Sequence, residues 1–151
     1  MKKTFGLSWM GYLLISIALA GCTSVEKTVI TASNLPSIQG TYEGWTEFGI
    51  GQYRPVMTQV HISNNTVPIQ GRVTFNNLPE DLARVIPADQ KTAGNNVTIN
   101  FSDGKISQNG TVISQIGQNT LELTYFEGEK PKIRGWFYYW MFKGNFEVTK
   151  K

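Results

Sequence analysis

The sequence predicts an all-β fold, a small antiparallel β-barrel or sandwich of about eight strands with one short helix. Two observations lead to this prediction. Apolar and polar residues alternate with a period of two, as in strands that have one face toward a core and the other toward water. Residues that favour tight turns separate these segments at the spacing of short hairpins. A closed barrel and a two-sheet sandwich share this alternation, so both architectures stay open.

The predicted strands follow one another along the chain. Residues 67–75 show the pattern clearly, because every second residue is apolar or glycine and those between are mostly polar. The other predicted strands lie near residues 38–44, 56–62, 97–101, 121–125 and 136–142. The segment Ile-Gln-Gly-Thr-Tyr-Glu-Gly-Trp at residues 38–45 resembles the first strand of small barrels of the lipocalin and avidin kind. That resemblance implies an up-and-down barrel.

Four segments have the composition of turns. Asp103-Gly104 and Asn109-Gly110 are dipeptides that favour two-residue type I′ hairpins. Residues 117–119 separate two apolar segments, and Asn64-Asn65 tolerates the left-handed conformation that a hairpin needs. We therefore predict chain reversals at these four places.

One segment, residues 78–86, is predicted to be helical. Pro79 stands near its start, Glu80 and Asp81 lie in the first turn, and Pro87 ends it. This order suits a single short helix. We expect the helix to cover one end of the β structure.

The N-terminus has the organisation of an export signal. Lys2 and Lys3 precede an apolar stretch, residues 7–21, that is shorter than the roughly twenty residues of a transmembrane helix. The stretch ends in Leu19-Ala20-Gly21-Cys22, which resembles the lipobox of bacterial lipoproteins. The resemblance implies that the Cys22 thiol is lipidated and that residues 1–21 are removed. By the same resemblance, Thr23 after the cysteine favours the outer membrane. We expect the protein to lie on the periplasmic face, although the sequence leaves exposure on the cell surface open.

The mature chain is predicted to be a flexible tether, residues 22–36, followed by a single β domain, residues 37–151. Loss of Lys2 and Lys3 leaves 12 Lys and Arg against 11 Asp and Glu, so the net charge falls from +3 to about +1. This near balance argues against a nucleic-acid partner. Cys22 is the only cysteine, so the domain has no disulfide and is held by its core.

The sequence offers little for catalysis. His61 is the only histidine, which excludes a metal site built from histidines. Glu43 and Glu47 share one face of a strand, but their backbones are roughly 13 Å apart, which is long for a catalytic pair. We therefore expect no enzymatic activity, no catalytic residues, no metal and no cofactor. A small acid-dependent hydrolase is the least favoured alternative.

The aromatic segment at residues 136–142 is the strongest candidate for binding. One face would carry Trp136, Tyr138, Trp140 and Phe142, and the other would carry Phe137, Tyr139 and Met141. A sheet that is buried on one side accounts for only one of these faces. The second must be covered, bind a partner or line a ligand cavity. Trp45 joins the first set if the first and last strands pair.

The sequence thus predicts a lipid-anchored, non-enzymatic binding module of the cell envelope. Its partner would be an envelope protein, a glycan or an apolar ligand, bound through Trp136, Tyr138, Trp140, Phe142 and Trp45. A carrier of apolar ligands needs an interior void, whereas a partner-binding protein needs an exposed patch. The alternative from another class is an immunity or inhibitor lipoprotein that neutralises a toxin, a hydrolase or a phage.

Overall fold

The computed structural model describes residues 26–49, 53–139 and 142–151 and contains a closed antiparallel barrel of eight strands. The strands are β1 (Gly40–Phe48), β2 (Val56–Ile62), β3 (Ile69–Phe75), β4 (Val97–Ile106), β5 (Val112–Ile116), β6 (Asn119–Phe126), β7 (Lys132–Tyr139) and β8 (Phe142–Lys150). Two short helices, α1 (Leu35–Ile38) and α2 (Glu80–Arg84), and a 3-10 turn, Ala88–Gln90, accompany the strands in this described part. The predicted all-β fold is confirmed, and the architecture is a barrel.

The strands run in chain order around the barrel, and β1 pairs with β8 to close it. Because every strand is antiparallel to its neighbours, the connections alternate between two ends. One end is here called the entry end, because the chain enters the barrel there at Gly40. The β2–β3, β4–β5 and β6–β7 connections lie at the same end. The other, here called the far end, has the β3–β4 connection with α2.

The interior is filled by the inward-facing side chains of the strands. Tyr42, Val60, Val73, Ile99 and Leu121 come from different strands, and each is completely buried. Burial of each such side chain contributes roughly 1.5–3 kcal/mol. The polar atom of Tyr42 is satisfied, because its hydroxyl donates to the Ile38 carbonyl oxygen at 2.7 Å.

Helix α2 covers the far end, as residues 78–86 were predicted to do. Leu82 is 2 % exposed and faces a cluster of tilted aromatic rings in the barrel interior. In that cluster the Phe75 ring lies 6.1 Å from the Phe48 ring and 5.8 Å from the Phe137 ring, measured between centroids. The Tyr53 hydroxyl also hydrogen-bonds the Asp81 carboxylate, which links the β1–β2 connection to α2. None of the helices in the described residues is long and apolar enough to cross a membrane.

Of the flexible tether predicted over residues 22–36, the structure describes residues 26–36, and most of this part is packed against the barrel. The Thr28 amide donates to the Tyr125 carbonyl oxygen at 2.9 Å, and the Ile30 amide donates to Gly110 at 3.2 Å. Ile30 and Leu35 are 2 % and 3 % exposed, respectively. These apolar side chains cover the entry end, so the segment from Thr28 onward belongs to the packed domain, and α1 forms in it.

The four predicted reversals have different outcomes. Connections are confirmed at Asn64-Asn65, at Asn109-Gly110 and at residues 117–119. Gly110 has a φ of 71° but Asn109 is not among the residues with positive φ, so that turn is not of type I′. The hairpin predicted at Asp103-Gly104 is wrong, because both residues lie within β4. A Cβ on Gly104 would lie 2.7 Å from the Ile69 carbonyl oxygen, so the glycine allows close strand approach beside a register shift.

We predict that Gly44→Ala weakens the closure of the barrel. A Cβ at this position would lie 2.0 Å from the Glu147 carbonyl oxygen on β8, a backbone atom that cannot move without breaking the β1–β8 pairing. We expect a loss of about 3 kcal/mol in the free energy of unfolding, measured by urea denaturation. Gly128→Ala is the control, because a Cβ added there would have no other atom within 4 Å. Equal midpoints for the two variants would contradict this role of Gly44.

Candidate functional site

An open groove of about 640 Å³ crosses the outer surface of β7, β8 and β1. It exists because β1 and β8 pair: Trp45 on β1 lies opposite Glu147, and Trp136 on β7 lies opposite Asn145. Strand β8 therefore separates the two tryptophans, and its outward side chains form the floor of the groove. Residues from the two ends of the domain sequence meet here.

Trp45 is the more exposed of the two groove tryptophans. Its side chain is 59 % exposed, compared with 39 % for Trp136. Trp45 also borders a second open groove on its other side, where Tyr53 and Met57 lie. The Trp45 side chain therefore lies between the two grooves and is exposed to solvent.

A lysine supports Trp136. The Lys143 ammonium lies 3.8 Å from the centroid of the Trp136 ring and 5.3 Å from that of the Tyr138 ring. Cation–π contacts of this kind fix the orientation of an aromatic ring at the surface. The ammonium covers one face of the Trp136 ring, and the residue as a whole stays 39 % exposed.

The charged groups of the groove neutralise one another. The Glu147 carboxylate accepts hydrogen bonds from Lys132 Nζ at 2.9 Å and from Arg134 Nε at 2.6 Å. Lys132 and Arg134 lower the pKa of Glu147 by stabilising its carboxylate form. The Arg134 guanidinium also lies 4.9 Å from the centroid of the Phe126 ring. The guanidinium is therefore held from two directions.

Glu43 is also held in its ionised form. Its carboxylate forms an ion pair with Lys151 and accepts a hydrogen bond from Gln59 Nε2 at 2.8 Å. The hydrogen bond from Lys151, together with that from Gln59, lowers the pKa of Glu43. A general acid in glycoside hydrolysis needs the opposite, a raised pKa. Glu43 is therefore poorly suited to that role.

Asn145 has an unusual environment at the centre of the floor. It pairs with Glu47 on one side and Trp136 on the other, and its Oδ1 atom is buried without a hydrogen-bond partner among the described residues. Among the described residues, Gln90 Oε1 is the other buried side-chain oxygen without a hydrogen-bond partner. A buried acceptor without a donor costs roughly 1–3 kcal/mol, and such groups usually have a functional or solvent partner.

Three of the predicted binding residues lie on this outer surface. Trp45 and Trp136 line the groove, and Tyr138, 41 % exposed, lies beside it. Trp140 and the lipidation site Cys22 lie outside the described residues, and for Phe142 only the backbone in β8 is described. Of the opposite set, Phe137 is 3 % exposed and packs in the core.

The sequence reasoning missed the floor of the groove. The prediction of one strand over residues 136–142 is wrong, because β7 ends at Tyr139 and pairs with β8, which begins at Phe142. Strand β8, on which Asn145 and Glu147 alternate with the buried Phe146 and Val148, was therefore not predicted. The sequence reasoning also lacked the register that puts Asn145 opposite Trp136. His61, by contrast, lies away from the groove, where its Nδ1 is 3.0 Å from Thr41 Oγ1.

Other types of site have less support. The apolar space beneath α2, lined by Leu82 and Phe137 among others, measures about 20 Å³, enough for about one water molecule. Among the described residues, no three His, Cys, Asp or Glu side chains form a group that could hold a metal ion. Comparison with known protein families, with curated proteins and with solved structures finds no match to this chain. Its function must therefore be inferred from the groove itself.

We predict that Glu147→Gln lowers stability in a pH-dependent way. Because the folded state depresses the pKa of Glu147, its contribution is present above the unfolded pKa and is lost as the pH falls through the lower folded value. Both partners are partly exposed, so we expect a loss of only about 0.5 kcal/mol near pH 7 and almost none near pH 3. Urea denaturation at both pH values measures it.

Glu129→Gln is the matched control for this measurement. Glu129 lies in the β6–β7 connection and forms no salt bridge within the described part of the chain. We expect the control to match the wild type at both pH values. A deficit of Glu147→Gln that persists unchanged at low pH would contradict an ionic origin.

Proposed function

We propose that this chain is a lipoprotein, anchored to the outer membrane through Cys22, that acts as a non-enzymatic binding module of the cell envelope. The groove between Trp45 and Trp136 would be its binding surface. The observation that carries the proposal is the meeting of these two exposed tryptophans across β8. Large exposed aromatic side chains are costly to leave bare and are typical of interaction sites.

The path of the chain supports a role close to a membrane. Thr28 is hydrogen-bonded to Tyr125 at the entry end, so only residues 23–27 would separate a lipid on Cys22 from the barrel. At about 3.5 Å per residue this spacer reaches at most roughly 18 Å. The entry end would then stay near the bilayer. Trp45, about 17 Å along β1 from Gly40, would lie at a distance from the lipid surface.

The shape of the described barrel favours an external partner over a carried apolar ligand. A carrier needs an interior pocket of several hundred Å³. The described interior is filled by side chains such as Tyr42 and Tyr125, and the space beneath α2 is about 20 Å³. The open groove, with aromatic walls and a polar floor, supports binding of a protein or a glycan instead.

The anchor is tested first, by mass spectrometry of the mature protein and by fractionation of membranes. We expect the mature chain to begin at Cys22 with acyl chains on its sulfur and its amino group. Cys22→Ser should abolish the modification and release the domain from the outer membrane, while the far-ultraviolet circular dichroism spectrum stays that of the wild type. An exported wild-type chain with a bare thiol would overturn the lipoprotein assignment.

The binding surface is tested separately with Trp45→Ala and Trp136→Ala. Detergent-solubilised mature lipoprotein should bind isolated, lipid-extracted cell envelopes, and each substitution should weaken binding about tenfold or more, as at an interaction hot spot. Asn100→Ala is the control, because Asn100 is exposed on β4 on the opposite wall of the barrel. If both tryptophan variants bind as the wild type does, the groove is not the binding surface.

A further inference from the structure

The two groove tryptophans are set apart. Their strands are separated by β8, and their positions are offset by two residues along it. Two strand spacings of about 4.8 Å and a two-residue offset of about 6.8 Å place their Cα atoms roughly 12 Å apart. This distance exceeds one sugar ring, one nucleobase or one amino-acid side chain. An extended chain with at least two flat units is therefore better suited to contact both tryptophans than a ligand of one such unit.

The space between the rings is polar but nearly neutral. Glu147 is paired with Lys132 and Arg134, and Glu43 is paired with Lys151. Glu47 also lines the groove and Lys143 lies over Trp136, so the net charge of these side chains is about +1. That is little to attract a polyanion such as nucleic acid or a phosphate-rich lipid. A ligand with many uncharged hydrogen-bonding groups is better matched to this floor.

One acceptor in the groove floor has no hydrogen-bond donor. Asn145 Oδ1 is buried and accepts no hydrogen bond within the described residues, and it lies next to Trp136. When the Asn145 amide rotates so that Oδ1 faces the groove, a hydroxyl or amide N–H of a ligand that rests on Trp136 would supply this missing donor. The ligand is therefore expected to present a donor at the rim of a flat apolar unit.

We propose that the groove binds a neutral glycan chain of at least two pyranose rings; this inference rests on the proposed binding function. A pyranose ring presents C–H groups on its faces and hydroxyls at its rim. One sugar stacks on Trp45 and another on Trp136. A hydroxyl or acetamido N–H of the second sugar donates to Asn145 Oδ1, and Lys143 holds the Trp136 ring in place.

A protein partner matches the groove less well. The centre of a protein interface is a contiguous apolar cluster that is depleted of charge. Here the residues between the aromatic rings include the ion-paired Glu147 and Arg134, and the rings are separated by them. A separated pair of aromatic platforms over a hydrogen-bonding floor fits repeating sugar units.

The test uses mature lipoprotein in detergent and isothermal titration calorimetry. The probes are hexasaccharides of N-acetylglucosamine, of β-linked glucose and of α-linked glucose (the maltose type), together with their shorter forms down to the single sugar. We expect at least one to bind, with affinity that rises steeply from the single sugar to the trisaccharide and changes little when salt is raised about tenfold. Trp45→Ala and Trp136→Ala should each weaken binding at least about tenfold.

Asn145 gives the most specific readout. Asn145→Ala removes the acceptor, and we expect binding to weaken about fivefold to tenfold, in line with one hydrogen bond of about 1–1.5 kcal/mol. Stability should be unchanged or slightly higher, because the acceptor has no partner among the described residues of the free protein. Asn100→Ala is the matched control and should bind as the wild type does. Unchanged affinity of Asn145→Ala would overturn the role of this oxygen.

A second arm separates the glycan from a protein partner. Isolated envelopes are treated either with a mixture of glycoside hydrolases or with protease before the lipoprotein is added. Loss of binding after the hydrolases alone supports the glycan. Loss after protease alone overturns the glycan and leaves the proposed binding function intact. If untreated envelopes also fail to bind the wild type, the proposed function itself falls.

Discussion

Pairing of the first and last strands is the constraint on which the rest of this molecule depends. The β1–β8 ladder closes the barrel, and it requires the close backbone approach that Gly44 permits beside Glu147. Closure removes the exposed edges that an open sheet would present for aggregation. It also carries Trp45 to the side of β8 opposite Trp136, so the same hydrogen bonds that complete the core assemble the groove.

Along each barrel strand, alternate residues face the core and the outer surface. On β7, Phe137 points into the core, where it meets Phe75, while Trp136 and Tyr138 point outward. On β8, Phe146 is buried, and Asn145 and Glu147 form the outer floor. Because the inward-facing side chains form the core, the outward-facing side chains are not needed for packing, and they include those of the proposed binding groove.

Sequence reasoning succeeded where the physical cause is local. The period of two separated Phe137 from Trp136, and Asn109-Gly110 marked a turn because a glycine accepts positive φ. It failed where the cause lies on another strand. Gly104 permits close approach to Ile69 and does not form a turn, and Ile30 packs on a barrel that the local sequence does not reveal. The neighbours of Asn145 depend on register in the same way.

At Asn145, the residue that suits the proposed binding role is not the one that would give the free protein its highest stability. An apolar residue at this position would remove a buried acceptor that has no partner within the described residues, and the free protein would lose no hydrogen bond to that oxygen. The adjacent Glu147, in contrast, has its carboxylate satisfied by Lys132 and Arg134. In the proposed glycan complex the oxygen of Asn145 would gain the donor that it lacks in the free protein. Binding would then recover stability that the free protein gives up at this position.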